Sequence, residues 1–258
     1  FAAPARAQWC EAQVGSIPIA ETQDDGILAI DPGARLLFVV RRDQGGTGID
    51  LISVIDVDSE AVVAEFAGGP DPIAAAVDTQ RHRLYVANAS TFPLPFEFSV
   101  SVYDGDPASP TFLDELARIP TLYKPAGLAV DEAGGLLFVD TRDDYDFSSL
   151  LLAIDQTTLA VVAGEVSDAR VYWRSLVFDA AERRLFVARE KGGVAEPGEY
   201  EVYDVDGAQG PFTFLGVMPY PNSLQRATGL GVDAAVGRLY HRGHSSSDGG
   251  RLEVWDTG

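Results

Sequence analysis

The apolar residues of this chain come in short runs separated by polar turns, with no sustained helical rhythm. GILAI (26–30), LLFVV (36–40), LISVI (51–55) and AVVAEFA (61–67) open the series. Between the first two lies DPGAR, and between the last two DVDSE, with Pro, Gly, Asp and Ser where a tight β-turn wants them. A longer polar stretch, DQGGTGID, separates the middle pair. The pattern predicts four short strands, a to d: tight turn, long loop, tight turn. Runs that are continuously apolar, such as GILAI, are expected to be covered on both faces.

The unit recurs five times. An aspartate is followed seven residues later by an aromatic at Asp31/Phe38, Asp78/Tyr85, Asp131/Phe138, Asp179/Phe186 and Asp233/Tyr240. A second aspartate closes strand c in each unit, at Asp56, Asp104, Asp155, Asp204 and Asp256. Both sets recur five times, which makes turn capping the expected role of these carboxylates. Repeated four-stranded antiparallel units of this length predict an all-β fold, a five-bladed β-propeller. The fifth unit has an a strand (GLGVD, 229–233), a b strand (RLYHR, 238–242) and a c strand (RLEVWD, 251–256), but no d strand. The stretch AQVGSIPIA (12–20) is an unpaired strand pattern, expected to complete the C-terminal blade and so close the ring. The domain reading is therefore a propeller over 12–258 and an extension over 1–11. The extension carries A-x-A spacing at Ala3, Ala5 and Ala7, resembling the end of an export signal. This sets the expectation of a periplasmic or secreted protein.

Charge and composition narrow the partners. The formal net charge is −20, which disfavours nucleic acid and anionic membrane surfaces. No apolar run is long enough to span a bilayer as a helix. Cys10 is the sole cysteine, which excludes an intrachain disulfide and a cysteine metal cage.

The stretch RLYVAN (83–88) is followed by the strand VSVYD (100–104) and then by IPTLYKPAGLAVDEAGGLLFV (119–139). This succession resembles the YVTN family of β-propeller repeats, over about residues 12 to 258. The resemblance implies a propeller and an extracytoplasmic setting among surface-layer and periplasmic proteins. It implies no particular chemistry. The b–c loops here are longer, and the blades fewer, than the family pattern.

Candidate sites lie where the blades differ. The b–c and d–a loops of a propeller emerge on one face and vary along this chain, as binding loops on a rigid scaffold do. The loop after RLYVAN carries Phe92, Leu94 and Phe96, with Phe98 opening the next strand, an apolar set suited to a protein partner. The residues preceding each strand a (Asp24, Asp71, Lys124, Tyr172 with Trp173, and Arg226) are expected to line the tunnel mouth. They could take a small polar ligand, or pair with each other as a plug. Asp143, Asp144 and Asp146 offer oxygen ligands at Ca²⁺-like spacing, without the order of an EF-hand. No cofactor is otherwise implied.

His241 and His244 stand three apart without an evident third metal ligand. The motifs GxSxG, HExxH, the P-loop and a Rossmann glycine fingerprint do not occur. The leading expectation is a non-catalytic propeller that binds protein or serves as an accessory subunit. One alternative is a metal-dependent lactonase or hydrolase at the top of the tunnel, using Asn88 and Asp140 by analogy with propeller lactonases. Another is a small-ligand or glycan binder using Tyr123, Tyr172, Trp173 and Tyr220.

Overall fold

The structure, a computed structural model, describes residues 27–41, 50–90, 97–143, 149–167, 175–189, 198–207, 210–219, 226–245 and 249–256. It is an all-β, five-bladed β-propeller. Blade 1 comprises β1 (Ile27–Asp31), β2 (Leu36–Arg41), β3 (Leu51–Asp56) and β4 (Ala61–Ala67). Blade 2 comprises β5 (Pro72–Asp78), β6 (Arg83–Ser90), β7 (Glu97–Asp104) and β8 (Glu115–Pro120). Blade 3 comprises β9 (Lys124–Asp131), β10 (Leu136–Arg142), β11 (Ser149–Asp155) and β12 (Val161–Ser167). Blade 4 comprises β13 (Leu176–Asp179), β14 (Arg184–Arg189), β15 (Glu199–Asp204) and β16 (Thr213–Pro219). Blade 5 comprises β17 (Arg226–Asp233), β18 (Arg238–Ser245) and β19 (Gly249–Asp256).

Within each sheet the strands pair antiparallel in chain order. Among the described residues the fifth sheet has three strands. Residues 12–20, expected to add its fourth, lie outside the described residues. The inner strands stand side by side, β1 against β5, β5 against β9, β9 against β13 and β13 against β17.

The turn aspartates cap their turns, as their fivefold recurrence suggests. The Ala34 N–H donates to Asp31 Oδ1 at 2.9 Å, and the Gly134 N–H donates to Asp131 Oδ1 at 2.9 Å. Equivalent bonds reach Asp78 from Gln80 and Arg81, Asp179 from Ala181 and Glu182, and Asp233 from Ala235. The strand c aspartates work alike, with the Ser59 N–H donating to Asp56 at 2.7 Å and the Thr158 N–H donating to Asp155 at 2.7 Å. Each four-stranded blade also carries a register shift in its c–d pairing at one equivalent place: Val54/Ile55, Val102/Tyr103, Ala153/Ile154 and Val202/Tyr203. A bulge there increases the local twist of the outer strand.

The core is divided among the blade junctions rather than gathered in one centre. The strand b aromatic faces the following blade: Phe38, Tyr85, Phe138 and Phe186 are all buried, each in a separate apolar cluster. Burying one such ring contributes roughly 1.5–3 kcal/mol, so the heptad-spaced aromatics are principal fixings of the ring.

Candidate functional site

The expected site residues belong to the b–c loops and the starts of strands a, and only some of them are among the described residues. Phe92, Leu94 and Phe96 lie outside them; Phe98 lies within. It pairs with buried Ala89 in the β6–β7 ladder, and its carbonyl accepts the Thr121 N–H at 2.9 Å. The side chain is half-buried. The β6–β7 hairpin runs on through the pairs Ala89↔Phe98 and Ser90↔Glu97, the level that β18–β19 reaches at Ser245↔Gly249.

Asp71 and Lys124 occupy matching places, just before β5 and at the start of β9, two inner strands that pack together. Asp71 is held in a left-handed conformation, φ 52°. Its N–H donates to Asp50 Oδ2 at 2.7 Å and its carbonyl accepts the Ala89 N–H at 3.0 Å. Arg226 opens β17. Asp24, Tyr172 and Trp173 lie outside the described residues. Asp143 follows β10, while Asp144 and Asp146 are outside them too. Among the described residues no three His, Cys, Asp or Glu side chains gather as a metal site.

The structure does not bring Asn88 and Asp140 to a common face. Counted from the aspartate ending strand a, Asn88 is the tenth residue and Asp140 the ninth, so they point to opposite sides of their strands. Asn88 shares its register with Arg41, Thr141 and Arg189, all buried. Each of these turns into its own blade. Asn88 Nδ2 donates to Ser101 Oγ at 2.9 Å, Thr141 Oγ1 donates to the Leu150 carbonyl at 2.8 Å, and Arg189 pairs with Glu201. Asn88 is pressed so closely against Gly69 that a Cβ there would fall 2.3 Å from its Oδ1. Asp140, fully buried, stands where the other blades have Val40, Ala87 and Ala188.

Several ionisable groups on the opposite, turn face are perturbed by their neighbours. One position there escaped the sequence reading. The fourth residue after each strand a aspartate is left-handed in every blade: Arg35 (φ 59°), His82 (φ 50°), Gly135 (φ 68°), Arg183 (φ 56°) and Gly237 (φ 61°). Where it carries a long side chain, that side chain bonds to neighbouring turns. His82 Nδ1 lies 2.6 Å from Asp31 Oδ2 of the preceding blade. Arg183 donates to both oxygens of Asp131 of the preceding blade, at 2.6 and 2.7 Å, and also to Asp206 at 2.8 Å. The bond to Asp31 raises the His82 pKa, and the bonds to Asp206 and Asp131 raise that of Arg183. Asp206 is lowered in turn by Arg183. These are blade-to-blade fastenings. Arg, His and Gly have no shared chemistry, so only their place in the repeat betrays them.

No protein-family model matches the chain, and no curated protein matches it. Solved structures do. The Kuenenia stuttgartiensis hydrazine synthase aligns at 17% identity and a TM-score of 0.66, over 90% of this chain and 64% of that one. A chain of the mitotic checkpoint complex aligns at 13% identity and 0.63, over 90% and 63%. The Swd1 β-propeller domain of Myceliophteria thermophila aligns at 12% identity and 0.59, over 90% and 68%. At these identities the likeness is one of fold. The chain spans slightly less than two thirds of the first two structures.

Proposed function

We propose that this protein is a non-catalytic, extracytoplasmic propeller of the YVTN type that binds a protein partner on its loop face, as an accessory subunit of a larger assembly. The observation that carries this reading is the end of the β6–β7 hairpin. It holds half-buried Phe98 beside the apolar sequence Phe92 to Phe96, on a ladder that fixes the backbone. A rigid strand end presenting aromatic residues is the usual anatomy of an interface anchor. The buried polar belt at the same level bonds within its own blades.

Propellers of this shape occur in assemblies: two of the similar structures are the mitotic checkpoint complex and a nidogen/laminin complex. The setting outside the cytoplasm rests on the A-x-A pattern of the first residues and on the resemblance to YVTN repeats.

The test is affinity isolation of the tagged chain from its native cells, beside the Phe96→Ser/Phe98→Ser variant. A stoichiometric partner retained by the parent and lost by the variant, at unchanged melting temperature, is the expected result. Equal recovery with both chains refutes the assignment to this hairpin.

A further inference from the structure

The outermost strands β4, β8, β12 and β16 each end their sheet, so each leaves one backbone edge unpaired among the described residues. Natural sheets guard such edges with charge. β4 exposes Glu65, β8 exposes Glu115 and Arg118, and β12 exposes Glu165. β16 carries no charged residue, and the sequence stays uncharged from Gly207 to Gln225. The exposed positions of β16 are Phe214, Leu215, Val217 and Pro219, all apolar. Blade 4 is flanked by blades 3 and 5, so this bare edge is not an end of the ring.

An exposed aliphatic residue alone does not set β16 apart. Leu215, 52% exposed, is the residue skipped where the c–d register shifts, and Val63, Leu116 and Val162 hold that place in the other blades. Those three are similarly exposed, but each stands within three positions of a charged residue of its own strand. Leu215 has none. Phe214 and Val217, beside it, are 52% and 51% exposed. At Gly216, between Leu215 and Val217, an added Cβ would meet nothing within 4 Å. The strand thus presents large apolar side chains next to an open notch.

We propose that β16 is a contact between two copies of the chain, related by a two-fold axis at this strand, with Leu215 of one copy seated over Gly216 of the other. The charge of the chain selects the occupant. At a net −20, two copies repel each other, and a two-fold contact brings equivalent residues together. β4 or β12 in such a contact would set Glu65 or Glu165 near its own copy, whereas β16 sets only apolar side chains there. A foreign partner makes no demand for neutrality, because it can answer a charge with the opposite one. Pro219 closes the strand without an N–H to donate, so side-chain packing rather than a continued ladder makes the contact. The inference does not depend on the loop-face reading, which concerns the blade 2 hairpin.

Sedimentation velocity over a wide concentration range tests it, with the parent, Leu215→Lys and Val162→Lys. The last makes the same change at the same bulge place on blade 3. The expected result is a species of twice the chain mass for the parent and for Val162→Lys, and its loss in Leu215→Lys at an unchanged melting temperature. Val217→Lys, at an ordinary ladder position of β16, should lose that species too and replaces Leu215→Lys if the latter melts early. A parent that stays monomeric at every concentration overturns the inference. So does equal loss of the dimer in Leu215→Lys and Val162→Lys, or a dimer that survives lysine at both positions of β16.

Discussion

Replacing Arg183 by Gly isolates the energy of one blade-to-blade fastening. Glycine accepts φ 56° freely, so the turn keeps its shape and only the guanidinium is lost. Asp131 is 0% exposed and would retain only the Gly134 N–H of the bonds it makes in this network. Removing one partner of a buried ion pair costs about 3–5 kcal/mol. Arg183 keeps its outer edge in water, which places the cost near the lower bound, at about 3 kcal/mol. Relief of the left-handed backbone returns about 1 kcal/mol. The net loss is about 2 kcal/mol, a fall in Tm of about 4–8 °C for a domain of this size. The control is Arg35→Gly. Arg35 occupies the same place in blade 1 but pairs with exposed Asp58, at a site where both partners are in water. The same relief of backbone strain there should leave Tm unchanged or raised. Thermal unfolding followed by circular dichroism reads both. Equal shifts for the two variants would refute the reasoning, since burial of the partner aspartate is the only large difference invoked.

Gly237→Arg should act in the opposite direction. Asp179 Oδ2 is buried and has no hydrogen-bond partner among the described residues, at the place where Arg183 serves Asp131. Supplying a donor should raise stability by about 1 kcal/mol after the left-handed cost, read as a higher Tm. The His82–Asp31 contact gives a pH dependence. His82 has a folded pKa above its unfolded value, so its contribution is complete below about pH 6.5 and fades as pH rises through the folded pKa. Urea midpoints of the parent should therefore fall toward alkaline pH relative to those of His82→Gln, and parallel profiles would dismiss the contact. Asp56 and Asp155 are lowered by backbone hydrogen bonds from Ser59 and Thr158, so their contributions are complete above about pH 4 and are lost as pH falls through their lowered folded pKa. Gly69→Ala would drive a Cβ to 2.3 Å from Asn88 Oδ1, and about 1–3 kcal/mol of overpacking should appear in the same unfolding assay.

The strands were legible because two signals coincide. The apolar runs are short, and the aspartate–aromatic spacing of seven fixes the a–b hairpin in every unit. The expected run 61–67 is β4, and 36–40 and 51–55 fall one residue short of β2 and β3. The blade fastenings were not legible. His82 and Asp31, or Arg183 and Asp131, are about one repeat apart, and pairing them requires knowing which side of each turn meets the next blade. The start of strand a was legible for Asp71, just before β5, and Lys124, at the head of β9, since the repeat fixes it. Asn88 and Asp140 misled because their near-equal registers hide a difference of one residue, which sends their side chains to opposite faces. The shared backbone of the repeat is read easily from one sequence; the loops that differ between blades have no second copy to be read against.

The central claim is recognition of a protein through the blade 2 hairpin. A photo-crosslinking residue at position 98, in the chain expressed in its native cells, tests it most directly, with the same residue at position 35 on the opposite face as reference. The account predicts a discrete covalent adduct with one protein from position 98 and none from position 35. Adducts of equal yield from both positions, or none from position 98, would contradict it.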